Sequence, residues 1–160
     1  MASDIFVKLG DIKGETLDSK HKDEIEVFTF AWGVSNQGLQ PAGSGAGQGK
    51  ANFSDITFTH GIDKASPALM QACATGTHFK DATITHRKAG KEQHEYLIYK
   101  LTDVIVTSVS HGTAANEIRT QESVSLAFAK VAMEYRPQKA DGSLDAGVFF
   151  KYDIKGNKVG

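Results

Sequence analysis

The residues able to do chemistry in this chain are scattered. Six histidines are present, His21, His60, His78, His86, His94 and His111. None stands in an H-x-H or H-E-x-x-H spacing, the patterns that put two imidazoles on one metal. His86 and His94 flank the turn signal Arg87-Lys88-Ala89-Gly90 and are expected to face each other across a hairpin. Two such ligands would still lack the third that a catalytic metal needs. His60 continues the alternation of Ile56 and Phe58, so it reads as a half-buried core histidine with a hydrogen-bond partner. The other histidines read as exposed loop residues. Cys73, the single cysteine, lies among Leu69, Met70, Ala72 and Ala74 and reads as a small buried apolar residue. With one cysteine the chain can form no internal disulfide and no two-thiolate zinc site.

The glycine-rich stretch Gln37 to Gly49 fails as a phosphate cradle. A P-loop needs Gly, four residues and then Gly-Lys-Ser/Thr. Ahead of Gly49-Lys50 the first position is Ser44, and Ala51 follows the lysine. The G-x-G-x-x-G pattern meets Gln48 or Lys50 where its third glycine belongs, and a strand follows where a helix N-terminus would be needed. No G-x-S-x-G elbow occurs. The carboxylate pairs Asp23/Glu24 and Glu117/Glu122 fall in loops or at strand edges, where charges are normally solvated. No cofactor, metal or catalytic group is expected.

Whatever these residues do, strands must position them. Period-2 runs dominate: Ile5, Val7 and Leu9; Phe28, Phe30, Trp32 and Val34; Ile56, Phe58, His60 and Ile62; Leu97, Tyr99 and Leu101; Val124, Leu126 and Phe128; Val148, Phe150, Tyr152 and Ile154. Three runs slip phase, near Val27/Phe28, Thr102/Asp103 and Ala129/Lys130. A one-residue slip moves the apolar set to the other face, so each slip implies a bulge or a bend. The expected fold is mainly β: one domain, 1–160, forming a small β-barrel of two packed antiparallel sheets. It carries one short helix at about 66–75 and a long Gly-rich loop. In the helix, Ser66 or Asp63 is the N-cap, Pro67 opens the first turn and Gly76 stops it. Leu69, Met70 and Cys73 would pack on the barrel. The turn Ala140-Asp141-Gly142 marks a third loop, Pro137 to Gly147.

With 160 residues and a formal net charge of -1, the chain lacks the cationic surplus of a dedicated nucleic-acid binder. No apolar run is long enough to insert in a membrane. Asp4, Lys8, Asp11 and Lys13 interrupt the first residues, so no signal peptide is expected.

Several segments, in order, resemble one family. They are Asp4-Ile-Phe-Val-Lys-Leu-Gly-Asp-Ile-Lys-Gly-Glu15, Trp32-Gly33, Ile62-Asp-Lys-Ala-Ser-Pro-Ala-Leu-Met-Gln-Ala-Cys73 and Thr83-Ile-Thr-His-Arg-Lys-Ala-Gly90. Tyr96-Leu-Ile, Val106-Thr-Ser-Val-Ser110 and Tyr135-Arg-Pro-Gln-Lys-Ala-Asp-Gly142 continue the series. Together they resemble the haemolysin-coregulated proteins, Hcp, of bacterial type VI secretion. The resemblance implies hexameric rings that stack into a tube, with a VgrG-type spike, a contractile sheath and small effectors as partners. It implies synthesis in the bacterial cytoplasm, secretion without a signal peptide and no enzymatic activity. With the sequence read to Gly160, the plain structural form without a fused domain is expected.

Under this resemblance Phe28, Phe30, Trp32 and Val34 would face the core. Thr29, Ala31 and Ser35, small and uncharged, would face the lumen. Gly43, Ser44, Gly45, Ala46, Gly47 and Gln48 would contact the adjacent subunit or the next ring. The competing expectation is a small β-barrel that binds carbohydrate or oligonucleotide as a monomer.

Overall fold

The computed structural model describes residues 3–38, 50–90 and 92–160. Eleven strands and one helix follow one another along these residues: β1 (Ser3–Leu9), β2 (Ile25–Val27), β3 (Thr29–Ala31), β4 (Val34–Asn36), β5 (Ala51–Phe53), β6 (Ile56–Gly61), α1 (Ser66–Thr75), β7 (His78–Lys88), β8 (Glu95–Gly112), β9 (Gln121–Tyr135), β10 (Val148–Asp153) and β11 (Lys158–Val159). Nine strands join one antiparallel sheet, and β4 and β5 form a separate pair.

The long hairpin of β8 and β9 is the spine. Strand β7 pairs with β8 only as far as Ile105, so the far end of β8 has no partner on that side among the described residues. The other edge of β9 is shared: β6 occupies Gln121–Leu126 and β10 occupies Lys130–Tyr135. The path then runs from β7 through β1 to β2.

The sheet does not close into the expected barrel. Residues 25–31 would be the closing strand, but Phe28 interrupts it. Its first half, β2, pairs with β1, and its second half, β3, pairs with β6. The slip expected at Val27/Phe28 is this kink. The kink also overturns the expected inward set: Phe28 and Val34 are exposed, while Phe30 and Trp32 are only partly buried.

The other two slips lie opposite each other. Thr102 pairs with Lys130 and Val104 with Phe128, which leaves Asp103 across from Ala129. Asp103 takes φ 54, a left-handed conformation that aspartate tolerates better than most side chains. Burial passes from Tyr99 and Leu101 to Val104 and Val106 across it. A further slip between Val106 and Ser108, absent from the sequence pattern, moves the inward position to Val109.

The core is one cluster built around Val7, Leu9, Ile25, Ile56, Phe58, Ile84, Leu101, Val104 and Leu126. Each such side chain taken from water contributes about 1.5–3 kcal/mol. Helix α1 covers this core with Leu69 and Ala72, with Cys73 half-buried beside them. Met70 points outward instead of packing, because 100° per residue carries it past the apolar stripe. Gly76 stops the helix in the left-handed region as expected (φ 65). The N-cap is neither expected residue. Ala65 occupies that position with no side-chain cap, while Ser66 Oγ accepts the Asp63 N–H and Asp63 Oδ1 accepts the Ala65 N–H.

Candidate functional face

Strands β3, β6, β9 and the far end of β8 lie side by side, and their register aligns two rows of small side chains. Thr29 pairs with Thr59, Thr59 with Ser123, and Ser123 with Ser110. The second row is Ala31, Thr57, Ser125 and Ser108. At about 4.8 Å per strand, four strands give a face about 14 Å wide. Strand alternation places Phe30, Phe58, Val124 and Val109 on the opposite side, toward the core. Seven of these eight positions carry a hydroxyl and none a charge. Cross-strand hydrogen bonds link Thr29 Oγ1 to Thr59 Oγ1 (2.5 Å) and Thr57 Oγ1 to Ser125 Oγ (3.0 Å). At one end Thr107 Oγ1 donates to Asp55 Oδ2 (2.6 Å).

Two of the expected wall residues, Thr29 and Ala31, belong to this face and are exposed. Ser35 is also exposed but sits in the second sheet opposite Asn52. Gly43, Ser44, Gly45, Ala46, Gly47 and Gln48 lie outside the described residues. Sequence inspection missed Thr57, Thr59, Ser108, Ser110, Ser123 and Ser125. Their signal was present as hydroxyls alternating with apolar residues, but only the strand pairing shows that they form one surface.

The titratable groups lie elsewhere. His60 has the expected hydrogen-bond partner, Nε2 lying 2.7 Å from Glu122 Oε1, but is fully rather than half buried. Glu122 is not solvated at a strand edge; it is fully buried inside β9. His86 and His94 do not meet across the hairpin. His86 turns inward against Phe30 and Tyr99, while His94 rests on Glu92. With no charged partner, burial lowers His86 to about 4. Burial likewise raises the Tyr99 phenol.

His21 is not an exposed loop residue. It stacks on Phe6 at 4.3 Å and reaches Glu24 and Glu95 with its two ring nitrogens. Beside it the buried Arg87 donates twice to Asp18 (3.0 and 2.8 Å) and once to Asp4 (3.0 Å), and lies 4.8 Å over Phe6. Hydrogen bonding to Arg87 holds the Asp18 carboxyl down at about 2. These contacts tie the segment between β1 and β2 to β7 and β8. Among the described residues no group of three or more His, Cys, Asp or Glu side chains is placed to hold a metal ion. No helix among them is long and apolar enough to cross a membrane.

Among the described residues the chain is a mainly β protein in which one sheet presents an uncharged, hydroxyl-rich face beside strand edges without partners. Residues 6–135 match the family model described as type VI secretion system effector, Hcp, and the chain belongs to the Hcp family. It is 48% identical over 159 residues to protein hcp1 of Pseudomonas aeruginosa, with 98% of each chain covered. A solved type six secretion system protein superposes with TM-score 0.92 at 31% identity, covering 99% of this chain and 100% of that one. Hcp1 from Salmonella typhimurium superposes with TM-score 0.79 at 37% identity, covering 99% of both. The molecule is thus a type VI secretion protein.

Proposed function

We propose that this protein is the tube subunit of a type VI secretion apparatus, a single domain spanning 1–160. Six copies form a ring, rings stack, and small effectors travel in the lumen. The spike and the contractile sheath are the remaining partners, and the protein leaves the cell through the apparatus without a signal peptide. It performs no catalysis of its own.

One observation carries this reading: the hydroxyl face is bounded by two strand edges with no partner among the described residues. One edge is β3 and the other is the far end of β8. Unpaired edges on a folded chain invite strand addition, and two different edges on one face suit a head-to-tail contact that closes into a ring. A wall of Thr, Ser and Ala offers hydrogen bonds without a fixed charge, which suits a channel passed by varied cargo. Gly43 to Gln48, which lie outside the described residues, are the proposed contact to a neighbouring subunit or ring.

Native mass spectrometry tests the assembly: a six-chain mass supports it, and a one-chain mass at all concentrations overturns it. Cysteines at Thr29 and Ser125, in a Cys73→Ser background, test the lumen. Small thiol reagents should label the intact ring and bulky ones should not. Equal labelling by both places the face outside the channel.

A further inference from the structure

Directly behind one end of the hydroxyl face, the same register aligns three titratable side chains on the core side: His60 on β6, Glu122 on β9 and His111 on β8. Glu122 is fully buried, with Oε1 2.7 Å from His60 Nε2 and Oε2 2.6 Å from His111 Nε2. For one carboxylate to accept from both ring nitrogens, each histidine must donate through Nε2, the arrangement adopted in this proposal. That fixes the His60 tautomer and leaves Nδ1 as the remaining ring nitrogen. Nδ1 is buried, has no hydrogen-bond partner among the described residues, and faces Asp63 Oδ2 at 3.7 Å. Asp63 itself has a side chain only 5% exposed.

A lone pair facing a carboxylate in a dry site is repulsive, and a buried polar atom without a partner is costly. Either a proton on Nδ1 or a proton on Asp63 removes both problems. We propose that His60 and Asp63 hold one proton between them, and that with Glu122 and His111 they form a proton-dependent latch. The latch joins β6, β9 and the open end of β8 to the turn that enters α1, and it loosens as pH rises.

The surroundings favour keeping that proton. Glu15 lies close enough to Asp63 to act on it by charge, and Glu26 lines the same cavity of about 240 Å³. Arg119, the cation of that cavity, is committed to the carbonyl oxygens of Gly61 and Ile62. Lys64 is exposed, and its backbone N–H, rather than its ammonium, meets Glu15. Burial raises the Asp63 carboxyl above its ordinary 3.8, against the opposing pull of His60. A carboxyl raised on folding binds its proton more tightly in the native state. The native state is therefore favoured at low pH, and that advantage is lost as pH climbs from 3.8 through the native value. The latch belongs to the single subunit and stands whether or not rings form.

The test compares Asp63→Asn with the unmodified protein by thermal denaturation from about pH 3.5 to pH 9, a range that starts below the ordinary carboxyl value of 3.8. The amide keeps the oxygen that accepts the Ala65 N–H and supplies an N–H to His60 Nδ1. The unmodified protein should lose several degrees of melting temperature relative to the variant as pH rises. Parallel curves overturn the proposal. Nitrogen NMR of His60 in the unmodified protein gives a second readout that needs no variant. An Nδ1 signal that is protonated or hydrogen-bonded at low pH and loses that state as pH rises supports the latch. An Nδ1 signal of a free lone pair at every pH refutes it.

Discussion

Replacing Arg87 by methionine isolates one interaction whose size can be worked out. Methionine keeps the apolar length over Phe6 but removes three hydrogen bonds to Asp18 and Asp4. Arg87 holds the Asp18 carboxyl at about 2, down from 3.8. At 1.36 kcal/mol per pH unit that fall is worth about 2.5 kcal/mol. The Asp18 side chain is 20% exposed, so screening reduces this to about 1–2 kcal/mol. The sign follows from the lowered native value. The contribution is complete above 3.8 and is lost as pH falls through about 2. By this arithmetic about half of it has gone at pH 3. Adding the lost Asp4 bond, Arg87→Met should destabilise by about 2–4 kcal/mol at pH 7. Urea denaturation of both proteins at pH 7 and pH 3 measures the difference directly. The gap should narrow by about 0.5–1 kcal/mol at pH 3. An identical gap at both pH values would show that Arg87 acts by packing alone, and the electrostatic account would fall.

Substitutions at two other positions probe different features. His86 is held neutral by burial, lowered to about 4 from 6.5, so its contribution is present above 6.5 and lost as pH falls through about 4. His86→Phe should remove about 2–3 kcal/mol of acid sensitivity from denaturation curves between pH 7 and pH 4, and an unchanged slope would contradict a neutral buried imidazole. Asp103→Val should cost about 1–2 kcal/mol, because a β-branched residue resists φ 54, whereas Asp103→Gly should cost less despite losing the 2.9 Å contact with His78. Equal urea midpoints for the two variants would mean that the backbone there relaxes freely.

How much was legible in the sequence depends on the range of the interaction. Phase slips are local, and those at Phe28, Asp103 and Ala129 could be read from the alternation alone. The slip at Thr107 could not, because Ser108, Ser110 and Thr107 are all small and polar and mark neither face. Helix α1 was visible through Pro67 and Gly76, but its cap was not. Ser66 is a strong capping residue by type, yet its hydroxyl is taken by the Asp63 N–H. The histidines show the opposite limit. His21 and His111 look like loop residues until Glu95, 74 positions away, and Glu122 are seen beside them. The hydroxyl face lies between these cases. Thr29 and Ala31 stood out through alternation with Phe28 and Phe30, while the six residues that complete the face depend on which strands become neighbours.

Strand β9 changes partner midway, leaving β6 at Leu126 and taking up β10 at Lys130 while β8 runs beside it throughout. A load on the part of the sheet that holds β6 is therefore passed to the part that holds β10 along continuous covalent backbone rather than through side-chain contacts. If the proposed tube is driven forward as a rod, thrust taken up at β10 reaches β6 through one strand, with no joint between the two pairings to shear.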